Sequence, residues 1–305
     1  MRDLLTAALV AVPLNLAGEH VARLTQPLVA PAQAAFETMA ETERAFVRAA
    51  ADKGIVRSFI EFFAPDAIAF ADAAVVSAQA GLAAELERVK AHEASGAPPP
   101  PPMHWEPRVG DIAASGDLGW LTGPVQRTAP DGRARHSCYF SIWRRQPNGT
   151  FRVFIDFGTE TPSAAPFEPG LRRLAPANRY IGRARGAAAA VSLAAADRAL
   201  DEHTRAGPPA DAYAAHLAVS ARLHRQQMLP LVGRDAVLAW LADQPAFSAS
   251  EHRGAGASAA GDLGYTYGTY TTAGETKEHG WYLRAWTREA SGAWKLVADI
   301  TQPER

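Results

Sequence analysis

The chain reads as an α+β protein made of two cone-shaped domains in tandem, each with helices packed on a curved antiparallel sheet. Three observations predict this: a motif that recurs, helical periodicity followed by strand periodicity in each copy, and a composition suited to folded globular domains. Gly116-Asp117-Leu118-Gly119 recurs as Gly261-Asp262-Leu263-Gly264, an offset of 262 − 117 = 145. An aromatic residue and then a glycine follow in both copies, Trp120 with Gly123 and Tyr265 with Gly268. A second block matches at 286 − 143 = 143. It pairs Tyr139 with Tyr282, Trp143 with Trp286, Arg145 with Arg288, Gly149 with Gly292 and Asp156 with Asp299. The change of offset falls between strands, where loops accept length differences most readily. Ordered blocks separated by one loop-sized shift are the mark of a duplication.

Taken in chain order, residues 1–34 form an N-terminal segment that two readings fit. Arg2, the apolar run Leu4 to Leu16 and the stretch Ala32-Gln33-Ala34 match an export signal, which would place the mature protein in the periplasm. Asp3 before the run, and Glu19, His20 and Arg23 after it, fit instead an amphipathic leading helix of a cytoplasmic protein. The run is too short to span a bilayer.

The first domain covers residues 35–162. Phe36, Met39, Phe46 and Val47, then Val56, Phe59, Ile60 and Phe63, recur at three- and four-residue steps and predict two helices broken at Gly54. Leu82, Leu86 and Val89 line one side of a further helix from about Ala78 to His92. Five consecutive prolines, Pro98 to Pro102, form a stiff spacer. Strand formers then flank the Gly116-Asp117 turn, and Trp143-Arg144-Arg145 runs through Asn148-Gly149 into Phe151 to Ile155 as a hairpin. Residues 163–190, rich in Pro, Ala, Gly and Arg, read as a linker without helix or strand signal. The second domain, 191–305, repeats the order: helices near 194–205, 213 and 234–241, then hairpins turning at Gly261-Asp262 and Ser291-Gly292.

Of the 305 residues, 48% are hydrophobic and 21% charged, the balance of a folded rather than a disordered chain. With 31 basic and 32 acidic residues the net charge is −1, which lacks the basic footprint of a nucleic-acid binder. Cys138 is the only cysteine, so an intramolecular disulfide is excluded, and no histidine has a partner at metal-ligand spacing. No metal or cofactor is therefore expected. Phosphate loops, dinucleotide fingerprints, nucleophile elbows and His-Glu-x-x-His are absent.

Alternation sorts the strand residues. His136, Cys138, Phe140 and Ile142 share one face, and Tyr139, Ser141 and Trp143 the other. In the second copy Trp281, Leu283 and Ala285 oppose Tyr282, Arg284 and Trp286. Both faces are apolar, so the outer face needs a cover. The other copy supplies one, as an intrachain pseudo-dimer; a homodimer of chains is the competing cover.

Glu43-Arg44-Ala45-Phe46, Phe63-Ala64-Pro65-Asp66-Ala67, Trp105-Glu106-Pro107 and Ser115-Gly116-Asp117-Leu118-Gly119 resemble a bacterial, SnoaL-like branch of the nuclear transport factor 2-like superfamily. In the second copy the resemblance rests on Gly233-Arg234 and on Gly261 to Gly268. It implies an apolar pocket between helices and sheet, in a superfamily that includes isomerases, cyclases, dehydratases and noncatalytic association domains. Fold alone does not choose among these.

The residues that could carry chemistry are few. Asp156, with Tyr139 as an oxyanion partner and His136, could form an acid–base set if apolar surroundings raise the carboxyl pKa. His104, Trp105, Trp120 and Trp143 in the first copy, and Tyr265, Tyr267, Tyr282, Trp286 and Asp299 in the second, are the expected pocket residues. The copies do not share one inward polar set, for Arg284 stands where the first copy has Ser141. That mismatch favours binding of a small apolar ligand in one or both pockets. The alternatives are a cofactor-independent isomerase, dehydratase or cyclase, and a protein association module whose cones are filled.

Overall fold

The computed structural model describes residues 17–71, 74–129, 131–183, 185–273 and 277–304, with side chains from residue 31 onward. The start of the export-signal reading, residues 1–16, lies outside the described residues. Ala32, in the proposed cleavage motif, sits inside the first helix and packs into the core.

The first domain begins with α1 (Ala17–Lys53) and α2 (Ile55–Phe62), separated at Gly54, whose φ of 86° a side chain would oppose. A short hairpin follows, β1 (Ile68–Ala71) and β2 (Ala74–Ser77), then α3 (Ala78–Ala94), capped by the Ser77 hydroxyl accepting from Ala80 N. The exposed prolines lead into β3 (Met103–Trp105), β4 (Val109–Ile112), β5 (Leu118–Thr128), β6 (Ala134–Arg145) and β7 (Phe151–Thr161).

The linker is not structureless, contrary to the sequence expectation. It adds β8 (Arg172–Arg173) parallel to β4, and α4 (Gly186–Ala206) starts inside its expected range. A two-residue strand carries no periodicity to read. The second domain continues with α5 (Pro209–Ala214), β9 (Leu217–His224), β10 (Leu231–Val232) and α6 (Arg234–Leu241). It ends with β11 (Phe247–Ala257), β12 (Leu263–Thr272), β13 (His279–Arg288) and β14 (Trp294–Pro303).

The sheets run β7-β6-β5-β4-β8, with β3 also on β5, and β10-β9-β14-β13-β12-β11. The duplication shows in backbone detail. Each long hairpin carries one register shift at its tryptophan, Ile142/Trp143 in β6 and Ala285/Trp286 in β13. The repeated Gly123 and Gly268 are needed for close approach, since a Cβ would meet Glu106 O at 1.8 Å or Glu251 O at 2.2 Å. The copies differ at their sheet edges: β9 joins β14 in parallel, whereas β1 pairs with β2 alone among the described residues, and β8 on β4 has no counterpart beside β11.

Three apolar clusters follow. One lies between the helices and sheet of the first domain, and another occupies the same place in the second. The third is shared, with Trp120, Phe140, Ile142 and Ile155 facing Tyr265, Trp281, Leu283 and Ile300 across the outer faces of the two sheets. The intrachain pseudo-dimer thus explains why both faces of these strands are apolar. Phe70 of the diverged hairpin seals one margin, against Phe157, Tyr267 and Trp281 at 5.2, 5.5 and 4.5 Å.

The duplicated Gly-Asp turns dock on each other at this seam. Asp262 Oδ2 accepts from Ala114 N at 2.9 Å, and Asp117 Oδ2 accepts from Ala259 N at 2.9 Å. Arg179 of the linker bridges the halves, with Nη1 donating to Asp262 at 2.8 Å and Nη2 to Asp111. No helix among the described residues is long and apolar enough to cross a membrane.

Candidate functional site

The interiors of the two cones start from matching positions. Met39 on α1 packs on Gly119, and Leu193 on α4 packs on Gly264. One turn further along each helix stands a carboxyl, Glu43 (43 − 39 = 4) and Asp197 (197 − 193 = 4). Directly paired across the last hairpin are Ser141 with Asp156 in the first domain and Arg284 with Asp299 in the second. Tyr139 and Tyr282 complete the matched set.

In the first domain these residues line a cavity of about 140 Å³, walled by Phe46, Phe59, Trp105 and Val153. Trp105 Nε1 donates to Glu43 Oε1 at 2.5 Å, while Glu43 Oε2 and Tyr139 Oη, both buried, have no hydrogen-bond partner among the described residues. Burial pushes the Glu43 carboxyl up to about 7, against the opposing pull of the Trp105 hydrogen bond. Asp156 keeps some accessible surface, but that surface faces the cavity. Its carboxyl, enclosed among apolar walls and beside Glu43, is raised well above the usual carboxylate range. The same enclosure, with Glu43 and Asp156 nearby, raises the Tyr139 phenol. The site therefore holds protonated or protonatable groups and no cation.

The second domain places a fully buried guanidinium where the first has a serine. Arg284 Nη1 donates to Asp197 and Asp201, each at 2.8 Å, and its Nε donates to Asp299 at 3.1 Å. Tyr213 donates to Asp299 at 2.7 Å, and Tyr282 and Thr266 donate to Asp197 at 2.8 and 2.9 Å. Arg225 lies 2.8 Å from Asp299 Oδ1, and His252 Nδ1 lies 2.7 Å from Asp197. Burial would raise Asp197, but Arg284 and the hydrogen bonds hold it at about 2. Asp299 is likewise held below its ordinary value, against burial, by Arg225 and Arg284. Asp201 is raised, because burial outweighs the attraction of Arg284. Matching aspartates thus have opposite proton affinities: Arg225 and Arg284 lower Asp299 against its burial, while burial and Glu43 raise Asp156 beside Ser141.

Of the sequence-derived candidates, Asp156, Tyr139 and Trp105 meet at the cavity, with Trp143 buried beside them and bonded through Nε1 to Ser141. His136 does not join them. It shares its strand face with Cys138 and Phe140, on the side turned to the other domain. His104 is exposed, because its neighbours Met103 and Trp105 take the inward positions on β3. Trp120 stacks on Phe140 at 5.2 Å, Tyr265 packs on Phe154 and Tyr267 on Phe70, so all three belong to the seam between domains rather than to a pocket. Tyr282, Trp286 and Asp299 are inside the second cone but are taken up by the Arg284 network and its Thr266 partner. Glu43, Asp197, Asp201 and Tyr213 were not among the expected site residues. The signal for the first two was present, a carboxyl set on the apolar helix stripe Met39-Glu43-Phe46 or Leu193-Asp197-Leu200.

No family model and no curated protein matches the chain. Among solved structures it is similar to a nuclear transport factor 2-like protein of unknown function from Pseudomonas putida KT2440, at 15% identity and a TM-score of 0.33. That match covers 39% of this chain and 88% of the other. It is also similar to a ketosteroid isomerase-like protein from Erwinia carotovora atroseptica, at 17% identity and a TM-score of 0.34, over 38% of this chain and 96% of that one. An LEH-like epoxide hydrolase of M. tuberculosis matches at 13% identity and a TM-score of 0.31, over 38% and 84% of the two chains. At these identities the likeness concerns the fold alone, and the chemistry of the chain rests on its own residues.

Proposed function

We propose that the first domain binds a small, mainly apolar molecule bearing one uncharged oxygen group, while the charged interior of the second holds that domain's own elements together. One observation carries this reading: Ser141, standing where the second domain has Arg284, leaves Glu43, Asp156 and Tyr139 facing a cavity with no counter-charge. Uncharged carboxyl and phenol groups donate hydrogen bonds, and a ketone or hydroxyl oxygen accepts them. A cavity near 140 Å³ matches a ring of about six carbon atoms, because an engineered apolar cavity of similar size takes up benzene. A purely associative role would leave both cones filled, and this one keeps its space.

The acid–base reading has its own support, since a carboxyl at about 7 beside a second raised carboxyl can both give and take a proton near neutrality. Cyclohexanone titrated between pH 5 and pH 9 separates the two. Binding should weaken as pH rises through neutrality and Glu43 loses its proton, and Glu43→Gln should flatten that dependence. Cyclohexanone affinity untouched by both Glu43→Gln and Asp156→Asn would refute the site. Catalysed exchange of the ketone α-hydrogens in heavy water, lost in Asp156→Asn, would select the enzymatic reading over simple binding.

A further inference from the structure

We propose that the second domain carries a ligand site of its own at the open end of its cone, shaped for an uncharged planar ring with hydrogen-bonding groups along its edge. This goes beyond the first-domain reading and does not depend on it. The site is a chamber of about 380 Å³, within the range of small-molecule pockets, whereas the depth of the same cone is closed by the Arg284 network.

Three aromatic residues give the chamber its shape. Phe247 and Tyr270 form one wall, their rings stacked with centroids 4.9 Å apart and planes 29° from parallel, and Trp240 at the end of α6 supplies another. Ring-lined walls favour a flat guest, which offers the most contact per atom without ordering flexible bonds. Most of the polar edge groups are engaged, and the open hydrogen-bonding capacity lies in two glutamines. Gln244 has no side-chain partner among the described residues, so both its amide donor and its acceptor are free. Among the described residues the Gln226 side chain uses its Oε1, which accepts from Glu160 N at 3.0 Å, and not its Nε2. Arg225 commits Nη1 to Asp299 and lies over Trp240, its Cζ 5.8 Å from the ring centroid.

The charges argue for a neutral guest. Arg225 is balanced by Asp299, and Glu278, which accepts from the Tyr270 hydroxyl at 2.6 Å, is exposed so that solvent screens its charge. The loop between β9 and β10 is held in place from the other domain. Gln227, with φ at 59°, turns out of the chamber, and its N and Nε2 bond Glu160 O and Oε2, each at 2.8 Å. That anchorage leaves Arg225, Gln226 and Met228 as the inward residues of the loop.

Calorimetric titration of the full chain tests the site with adenine and nicotinamide as flat probes and cyclohexanecarboxamide as a puckered amide. One saturable site is expected for at least one flat probe, with cyclohexanecarboxamide weaker by about tenfold. Trp240→Ala should weaken the flat probe by about tenfold, since stacking on one aromatic face is worth that much. Trp240 is partly buried against the core of the domain, and Gln244→Ala offers a second, milder variant that should also weaken binding. Glu43→Gln and Asp156→Asn, in the other domain, should leave it unchanged. Absence of saturable binding by both flat probes overturns the proposal. So does equal binding of cyclohexanecarboxamide, or an affinity that survives both Trp240→Ala and Gln244→Ala. The cyclohexanone titration reads the first domain separately, so either result stands without the other.

Discussion

Replacing Arg284 by methionine tests whether the second cone is held together by its buried charges. The guanidinium is wholly inaccessible and bonds three carboxyls at 2.8, 2.8 and 3.1 Å. Methionine fills similar space but leaves Asp197, Asp201 and Asp299 buried, with only Arg225 and His252 beside them. Breaking a buried ion pair from one side costs about 3–5 kcal/mol. Spread over a domain of this size, that lowers Tm by roughly 10–20 °C. The sign of the pH effect is fixed by which proton affinities change. In the native chain Asp197 sits at about 2 rather than 3.8, so its stabilisation is complete above 3.8 and is lost as pH falls toward 2. In Arg284→Met, burial acts with far less opposition and raises the carboxyls, so the folded variant binds more protons than the unfolded chain. Its stability then falls as pH rises from about 4 toward neutrality. Urea denaturation at pH 7 and pH 4.5 should therefore show a deficit that is larger at pH 7. A loss under about 1 kcal/mol, or an equal deficit at both pH values, would refute a charge-held interior.

The first cone should behave in the opposite way. Glu43, raised to about 7 from 4.5, contributes stability that is present below pH 4.5 and lost as pH rises toward 7, at most about 3 kcal/mol; Glu43→Gln should make the wild-type decline in denaturation midpoint shallower over that interval, the remainder belonging to the raised carboxyl of Asp156. At the seam, Asp262→Ala leaves Arg179 with Asp111 alone, strands Ala114 N and the Ser258 hydroxyl, and should cost about 3 kcal/mol, whereas the more exposed Asp117 should cost under about 1 kcal/mol. Calorimetry should also show the Asp262→Ala transition splitting as the domains uncouple. Gly123→Ala, which drives a Cβ to 1.8 Å from Glu106 O, should abolish soluble expression or lower Tm by more than 10 °C, about the effect of over 3 kcal/mol.

Much of the architecture was legible because it is written in periodicities and turn residues. The helix break at Gly54 and the turns at Gly149 and Gly292, with φ of 86°, 86° and 90°, are backbone demands that only a few residue types meet. The inward set Tyr139, Ser141 and Trp143 followed from alternation. Alternation does not say which of two apolar faces is the inside, however, and that is why Trp120, Tyr265 and Tyr267 looked like pocket residues and proved to be seam residues. Glu43 and Asp197 escaped notice because a helix stripe is read by its apolar members, and one acid among them leaves the period intact. The strand Leu217–His224 has Val219 as its one β-branched residue, so its place in the sheet comes from pairing with β14 rather than from propensity. Arg179 acts over a sequence separation of 83 residues, which no local pattern reports.

The covalent joining of the docked copies has a consequence for how the protein can change. In a symmetric dimer of single domains, any substitution appears on both sides of the axis, so a serine in place of Arg284 would strip both interiors of their central cation at once. Here the same residue position is free to take two values. One half retains the charge-balanced interior, and the other holds uncompensated acids around an open space, with the destabilisation incurred once per molecule instead of twice. The tether also makes pairing of the halves unimolecular, so dilution does not separate them. An unstable interior in one half can persist because it remains attached to a stable one.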